Sequence, residues 1–496
     1  MSAASEEVIL IKPLSPHPSV IPNGITLVPI PGVCIWPLGD IPAVYVFPGQ
    51  INVERLKNAI ALLSSIYPSI CGRFVSRRKI DKEGYDFYYD LTQSLIPLSI
   101  RHLTQTQTQQ DDDDERSKYP SNVFKDRSII QDSLEPFLHP LGKDYIIPNS
   151  DAYLFSIRLT YLSNYGRSVL GLNHSHIIGD GQTSLNLLHC LEKLYIHGDE
   201  RCLESNSGTI TTIKNLELPT FFYDVDLPPY DPKWNLRKKE VIGHPVPELI
   251  ETYKRNAQGL ERLNVILSQD EINKLKSQVL EFSLDHDFDD DDGGLGGTKK
   301  IKLSDQDIIS GWWIDLHNRT GQDIGGVTYV INWRDYIRPN LSAAAGNIGL
   351  MHHFTLPTCD ARSLKDIYRI SKTIRKEISL LQTEPEVFLP LLSHQEYHLH
   401  KSAEEGKGQI LTPDQGEVLV NSNIRMNWHL SFGFPIDQVE YYTDFTAVRT
   451  LRVYPANPIL GRESEKRGVE LMFKVPAKLR TVFEDLIKSD RGIWAT

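Results

Sequence analysis

The segment His174-Ser175-His176-Ile177-Ile178-Gly179-Asp180-Gly181 gathers the residue types that proton-transfer chemistry uses. An imidazole accepts a proton near neutral pH when one ring nitrogen is free and the tautomer is fixed. His176 at the end of a strand, with a carboxylate four positions on at Asp180, meets that description of a general base. Gly179 and Gly181 permit backbone angles that other residues avoid, so the chain can turn sharply and aim His176 and Asp180 in different directions. Asp180 then reads as an anchor for an arginine from another segment rather than as a relay. Two other readings stay open on spacing alone. His176 fits equally well as a buried, hydrogen-bonded histidine in a turn, and His174 competes as the base because residues two apart on a strand share a face.

The elements around this segment decide where it points. Residues 152–162 alternate as a half-buried strand, Ser163-Asn164-Tyr165-Gly166 forms a turn, and residues 167–174 read as the returning strand. Beyond the motif, Leu185, Leu188, Leu191, Leu194 and Tyr195 recur at helical spacing, with Thr183 or Ser184 available as the cap. Upstream, residues 43–47 are strand-like. A helix follows through Val53, Leu56, Ala59, Ile60, Leu63 and Ile66, and Tyr67-Pro68 ends it, because the residue before proline resists the helical region. Downstream, the pattern predicts helices over 304–317, 364–381 and 479–487, and strands over 326–333 and 469–475. Helices and strands mix irregularly, which fits a mixed α+β or α/β architecture better than a strict β-α-β repeat. Residues 104–120 and 285–297 read as solvated loops, and 205–260, with Leu227-Pro228-Pro229-Tyr230-Asp231-Pro232, as a long crossover of no steady period.

At 496 residues the chain exceeds what one core supports, so two core-bearing units are expected. The formal charge of −11 is concentrated in two acidic runs, 111–115 and 285–292, and no dense Lys/Arg stripe is present, which argues against nucleic acid. Cys34, Cys71, Cys190, Cys202 and Cys359 are scattered and never spaced as C-x-x-C. That points to a reducing compartment and against both a disulfide framework and structural zinc. The beginning of the chain is acidic and no apolar run approaches about 18 residues, so the cytosol is the expected location and no membrane partner is expected. His394, His398 and His400 lack an H-E-x-x-H pattern and read as packing residues, so no metal is expected, and His352-His353 reads as a surface pair. No G-x-S-x-G nucleophile motif occurs, and Cys71 reads as a core residue.

His176-Ile177-Ile178-Gly179-Asp180-Gly181 resembles the H-x-x-x-D-G motif of the BAHD acyltransferases, and its later motifs are similar to the divergent fungal trichothecene 3-O-acetyltransferase-like branch. Tyr45-Val46-Phe47 and Tyr67-Pro68-Ser69-Ile70-Cys71-Gly72-Arg73 resemble the family's opening strand and its turn after the first helix. Ile331-Asn332-Trp333-Arg334 and Gly346-Asn347 resemble its arginine segment and Gly-Asn turn. The likeness spans nearly the whole chain. It implies two chloramphenicol-acetyltransferase-like domains: 1–205 carrying the motif, 206–260 as crossover, and 261–496. It further implies a channel between them with His176 midway, Arg334 paired with Asp180, and Gly181 supporting the turn. The family's Asp-Phe-Gly-Trp-Gly survives only as Asp444-Phe445, followed by Thr446-Ala447-Val448, and Trp428 resembles a family tryptophan that faces the acceptor pocket.

The function implied by the resemblance is transfer of an acyl group, acetyl among the candidates, from acyl-CoA to a hydroxyl or amine of a small secondary-metabolite acceptor. His176 and Asp180 form the catalytic motif, and Trp428, Ser422 and Ser431 are candidates for contacting the substrate or the developing oxyanion. Acyl-CoA is then a co-substrate, no cofactor is held permanently, and a monomer is the expected state. Two alternatives remain: a carrier-protein-dependent condensation-like enzyme, and a non-catalytic binding or regulatory protein of the same fold.

Overall fold

The computed structural model describes residues 6–35, 39–80, 83–92, 94–103, 134–141, 147–198, 216–221, 227–232, 242–285, 302–334, 344–359, 364–443, 447–458 and 468–495. In chain order the strands of the N-terminal half are β1 (Glu6–Ile11), β2 (Leu27–Pro29), β3 (Asp40–Phe47), β4 (Arg73–Arg78), β5 (Tyr85–Asp90), β6 (Ile96–Leu103), β7 (Phe155–Leu162) and β8 (Arg167–Ser175). Then come β9 (His244–Pro245), β10 (Leu260–Leu267), β11 (Gly326–Asn332), β12 (Gly349–Thr355), β13 (Lys407–Gly408), β14 (Glu417–Ser422), β15 (Glu440–Tyr442), β16 (Thr450–Pro455) and β17 (Val469–Pro476). The helices are α1 (Val53–Ile66), α2 (Gly181–His197), α3 (Val246–Ala257), α4 (Gln269–Asp285), α5 (Asp305–Arg319), α6 (Leu364–Thr383), α7 (Pro385–Glu404) and α8 (Arg480–Ala495).

Two six-stranded mixed sheets organise the chain, one in the order β1-β6-β7-β8-β3-β15 and the other β10-β17-β16-β14-β11-β12. In the first, the period of two along β3 separates two faces. Ala43, Tyr45 and Phe47 enter the main core with Leu56, Leu63, Leu188 and Leu191 of α1 and α2. Val44 and Val46 enter a smaller cluster with Leu134 and Phe137. That second layer lies so close that a Cβ on Gly171 of β8 would meet the Phe137 carbonyl oxygen at 1.8 Å, so only glycine fits there. The hairpin β7–β8 matches the sequence expectation, with Gly166 in the left-handed region (φ 60°) closing the turn.

Helix α1 also runs as its periodicity predicts. Asn52 caps it by accepting from the Arg55 N–H at 2.9 Å, and Tyr67, ahead of Pro68, terminates it. In the second half, α5 is buried along nearly its whole surface, including Trp312 and Trp313. Ser304 and Asp307 close its first turn as a reciprocal capping box, and Arg375 of α6 donates to both Asp307 carboxylate oxygens, at 2.8 Å from Nε and 2.8 Å from Nη2.

Two features depart from the sequence reading. The expected crossover 206–260 contains α3, which begins with proline at its first turn and buries only Val246 and Leu249. Two apolar anchors are too few to establish a period, which is why no helix is legible there. The expected C-terminal unit 261–496 contains β15, yet β15 pairs with β3 of the first sheet, Tyr441 opposite Tyr45. The chain after β14 therefore crosses from the second sheet to the first. The acidic run 111–115, Cys202 and most of 285–297 lie outside the described residues.

Gly171→Ala is expected to lower unfolding stability by about 1–3 kcal/mol, since the clash is with backbone and cannot be relieved by a rotamer change. The urea midpoint reads this directly.

Candidate active site

β8 ends at Ser175, and the next three residues form a turn in which Ile177 and Ile178 plunge into the core at 0% and 1% exposure. The Ile177 carbonyl accepts from the Tyr89 hydroxyl at 2.6 Å, and the Ile178 N–H donates to Ser175 O at 3.1 Å. Between the sheet and these two buried side chains, His176 is half-buried and faces a cavity of about 490 Å³. Its own N–H donates to the carbonyl of Gly39, a residue at φ 97°.

His174 and His176 do not share an environment, because the strand stops between them. His174 is buried in the sheet away from the cavity lining. As a neutral imidazole, its Nδ1 donates to Ser175 O at 3.0 Å and its Nε2 accepts from the Ser184 hydroxyl at 2.5 Å. Both nitrogens are committed. Burial pushes each of the two imidazoles down to about 4. For His176 the nearby His174 and Arg452 add to that shift, and Asp180 opposes it.

Asp180 is the N-cap of α2, a role the sequence reading gave to Thr183 or Ser184. One carboxylate oxygen accepts from the Thr183 N–H at 3.0 Å and from Arg334 Nη2 at 2.9 Å. The other accepts from Arg334 Nη1 at 2.7 Å and from the Ile348 N–H at 2.9 Å. The guanidinium is 1% exposed and donates further to Ala344 O (3.1 Å), Gly346 O (3.0 Å), Thr183 Oγ1 (2.9 Å) and Asn332 Oδ1 (3.1 Å). Burial alone would raise the Asp180 carboxyl. The Arg334 charge and the hydrogen bonds outweigh it and hold the group below its ordinary value.

The two glycines of the motif serve space rather than dihedral freedom, since neither has a positive φ. A Cβ on Gly179 would lie 2.4 Å from Thr183 Cβ, and one on Gly181 would intrude on the cavity wall 3.2 Å from Asn423 Oδ1.

Both halves of the chain line the cavity. Gly39, Ile41 and His176 come from the first; Val330, Leu419 and Arg452 come from the second sheet; Ile250 and Tyr253 come from α3. Trp428 lines it, 3% exposed and stacked on Tyr441 with ring centroids 5.0 Å apart; its indole Nε1 has no hydrogen-bond partner among the described residues. Ser422 also lines it, its hydroxyl donating to Gln306 Oε1 at 2.5 Å. Ser431 is not in the lining: its hydroxyl and N–H both donate to Glu192 of α2. Asp444 and Phe445 lie outside the described residues. Asn423, Arg452 and Tyr454 were not singled out from sequence, although Thr450-Leu451-Arg452-Val453-Tyr454 alternates and places Thr450, Arg452 and Tyr454 on one strand face.

Elsewhere, Tyr230 stacks on His394 (4.9 Å) and Tyr397 (4.1 Å), and His398 Nε2 lies 3.3 Å from His394 Nε2. Among the described residues no cluster of three or more His, Cys, Asp or Glu is arranged for a metal ion. His352 and His353 are half-buried on β12 rather than on the surface, within 3.3 Å of Glu377 and 3.7 Å of Glu417, partners that sequence spacing does not reveal. No described helix is long and apolar enough to cross a membrane.

Two six-stranded sheets thus meet at a shared cavity, with a helix-capping aspartate of one half tied to an arginine of the other. Solved structures of that architecture superpose along nearly the full length. Vinorine synthase aligns at TM-score 0.56 and 15% identity, covering 96% of this chain and 95% of that one. TRI101 of F. sporotrichioides, solved with coenzyme A and T-2, aligns at 0.57 and 10% identity over 92% and 97%. TRI101 of F. graminearum, solved with coenzyme A and deoxynivalenol, aligns at 0.57 and 12% identity over 95% and 98%. No protein-family model and no curated protein matches the sequence.

Arg334→Met strands the Asp180 carboxylate without its counter-charge and is expected to cost about 3–5 kcal/mol at neutral pH. In the wild type the depressed Asp180 carboxyl contributes stability above its ordinary pKa of 3.8, lost as pH falls through the folded value. In the variant the carboxyl shifts upward instead, so the deficit relative to wild type should shrink on acidification. Denaturant titrations at pH 7 and pH 4.5 test both parts.

Proposed function

We propose that the protein is an acyl-CoA-dependent acyltransferase that acylates a hydroxyl of a small, largely apolar acceptor, with His176 as general base. The observation that carries this reading is the placement of His176. Its half-buried ring faces a cavity walled by both halves, in the fold of enzymes crystallised with coenzyme A and hydroxylated toxins. The cavity suits such an acceptor: Ile41, Met351, Leu411, Met426 and Trp428 supply apolar surface, while Asn347, Asn423 and Thr412 offer isolated polar groups.

The reaction proceeds without a covalent enzyme intermediate. The acceptor oxygen attacks the thioester carbonyl carbon as its proton passes to the His176 imidazole. The resulting tetrahedral oxyanion collapses by breaking the carbon–sulfur bond, and the departing CoA thiolate takes the proton from the imidazolium. The Trp428 Nε1–H is the candidate for meeting the oxyanion, while the Ser422 hydroxyl, its proton given to Gln306, is left to accept from the acceptor. Asp180 acts by position, because its oxygens are occupied by Arg334, Thr183 and Ile348.

Release of free CoA thiol from acetyl-CoA and longer acyl-CoAs, over a panel of hydroxylated and amine acceptors, tests the reading. Acceptor-dependent release that falls about 10²–10⁴-fold in His176→Ala is expected; unchanged release in that variant overturns the assignment of the base. Because burial places the His176 pKa at about 4, the imidazole is already neutral from pH 5 to 8. The kcat/KM profile should therefore show no ionisation near 6.5 and lose activity only as pH approaches 4.

A further inference from the structure

The stretch from Asn423 to Val439 walls the cavity with Asn423, Met426 and Trp428, yet it contains little regular structure of its own. Apart from one short turn of 3-10 helix at Ile436–Gln438, its backbone must be held by other segments. Most of that hold comes from α2. A single Glu192 carboxylate oxygen accepts from the Ser431 N–H, from the Ser431 hydroxyl at 2.8 Å and from the Phe432 N–H at 3.1 Å. One turn earlier, His189 Nε2 donates to Asn427 O at 2.8 Å, and its Nδ1 lies 3.4 Å from the other Glu192 oxygen. The Tyr45 hydroxyl of β3 donates to Trp428 O at 3.1 Å. The carbonyl of Trp428 and that of its neighbour Asn427 are thus both tied to the half of the chain that carries His176.

The contact at Glu192 is directed at a point where the backbone resists its own conformation. Phe432 sits at φ 46° and Gly433 at φ 87°, and for a phenylalanine the left-handed region is unfavourable without outside support. The carboxylate supplies that support through the Phe432 N–H, and the Phe432 ring is seated between Phe47 and Tyr195, each with centroids 5.3 Å away. The loop tip beyond it, at Gly433 and Pro435 to Gln438, is exposed. Without Glu192 the loop keeps its apolar contacts and the hydrogen bonds from His189 and Tyr45, and loses the group that sets its path at Ser431 and Phe432.

We infer that Glu192, assisted by His189, is a positioning residue for acceptor binding, holding the 423–439 loop so that Trp428 presents its indole edge to the cavity beside His176. This rests on the acyltransferase reading for its substrate, though not for its geometry. A Cβ on Gly181, the residue after Asp180, would lie 3.2 Å from Asn423 Oδ1 and 3.8 Å from both Met426 Sδ and Trp428 Cζ2. Small movements of the loop therefore change the space over the catalytic turn itself.

Two measurements on Glu192→Ala, compared with Glu192→Gln and Trp428→Ala, test this. Hydrogen exchange followed by mass spectrometry should show faster exchange over 423–439 with α2 still protected; unchanged exchange in the loop overturns the inference whether or not the protein is an acyltransferase. In the acyl-transfer assay, Glu192→Ala should raise the acceptor KM about tenfold or more and leave the acyl-CoA KM unchanged. Glu192→Gln, which keeps one acceptor oxygen, should recover part of the loss. The acceptor effect should largely vanish in the Trp428→Ala background, because both changes act on one wall. Equal losses for both substrates, or full additivity with Trp428→Ala, would reduce Glu192 to a stability residue. Faster loop exchange together with no acyl transfer by the wild type on any substrate pair would leave the clip standing and remove the acyltransferase reading instead.

Discussion

The buried ion pair between Asp180 and Arg334 is the constraint on which the site depends. Its two charges are withdrawn from water, which is costly, and the cost is met because nearly every hydrogen-bonding position on both groups is filled. Such a pair adds little or no net stability over a well-packed apolar substitute, but leaving either charge alone is strongly unfavourable. Its effect is therefore on geometry. The same carboxylate caps α2 and receives the Ile348 N–H, so the turn that carries His176 is registered against β11, β12 and the Ala344–Gly346 segment in one arrangement.

That arrangement also fixes the electrostatics of His176. With its carboxylate facing Arg334, Asp180 cannot pair closely with an imidazolium, and desolvation together with His174 and Arg452 keeps His176 neutral down to about pH 4. A neutral imidazole is ready to accept a proton at any physiological pH, but one with so low a pKa is an intrinsically weak base. In the proposed reaction the proton transfer is then coupled to charge development elsewhere in the transition state. In the cavity lining, the Trp428 Nε1–H, which has no partner among the described residues, is the group the proposed reaction would draw on, whereas the Ser422 proton is committed to Gln306.

Local pattern revealed what local physics controls. The period of α1 with Pro68 behind it, the β7–β8 hairpin, and a histidine at a strand end ahead of an amphipathic helix all follow from side-chain alternation and from proline and glycine chemistry within a few residues. The pairing of Arg334 with Asp180 came only from the resemblance, since nothing in composition brings residues 154 apart into contact. The cap of α2 was misread because Thr183 and Ser184 are good capping types, and the demand that Asp180 serve the helix and Arg334 together is visible only in three dimensions. The motif glycines were misread for a related reason: their lack of a Cβ matters against Thr183 and Asn423, not against their own dihedral angles. Helix α3 and the Glu192 clip were invisible because one has two buried anchors and the other joins residues 239 apart.

The two ties place unequal stiffness around the cavity. Asp180 and Glu192 stand twelve residues apart on α2, about 18 Å along a straight helix, and each is bound to the chain of the second half. Strand β15 adds a third connection by completing the first sheet after the loop. On that side, separating the halves means breaking charged hydrogen bonds at both ends of one helix and a sheet pairing as well. The part of the lining that carries Ile250 and Tyr253 is α3, whose buried residues are Val246 and Leu249 and which is held by the short β9–β13 pairing at its start and by the Tyr253 hydroxyl accepting from the Leu411 N–H at 3.1 Å. Local stability follows the density of buried contacts. The part of the lining formed by His176, Gly181 and Trp428 is thus tied across the two halves at more points than the part formed by α3.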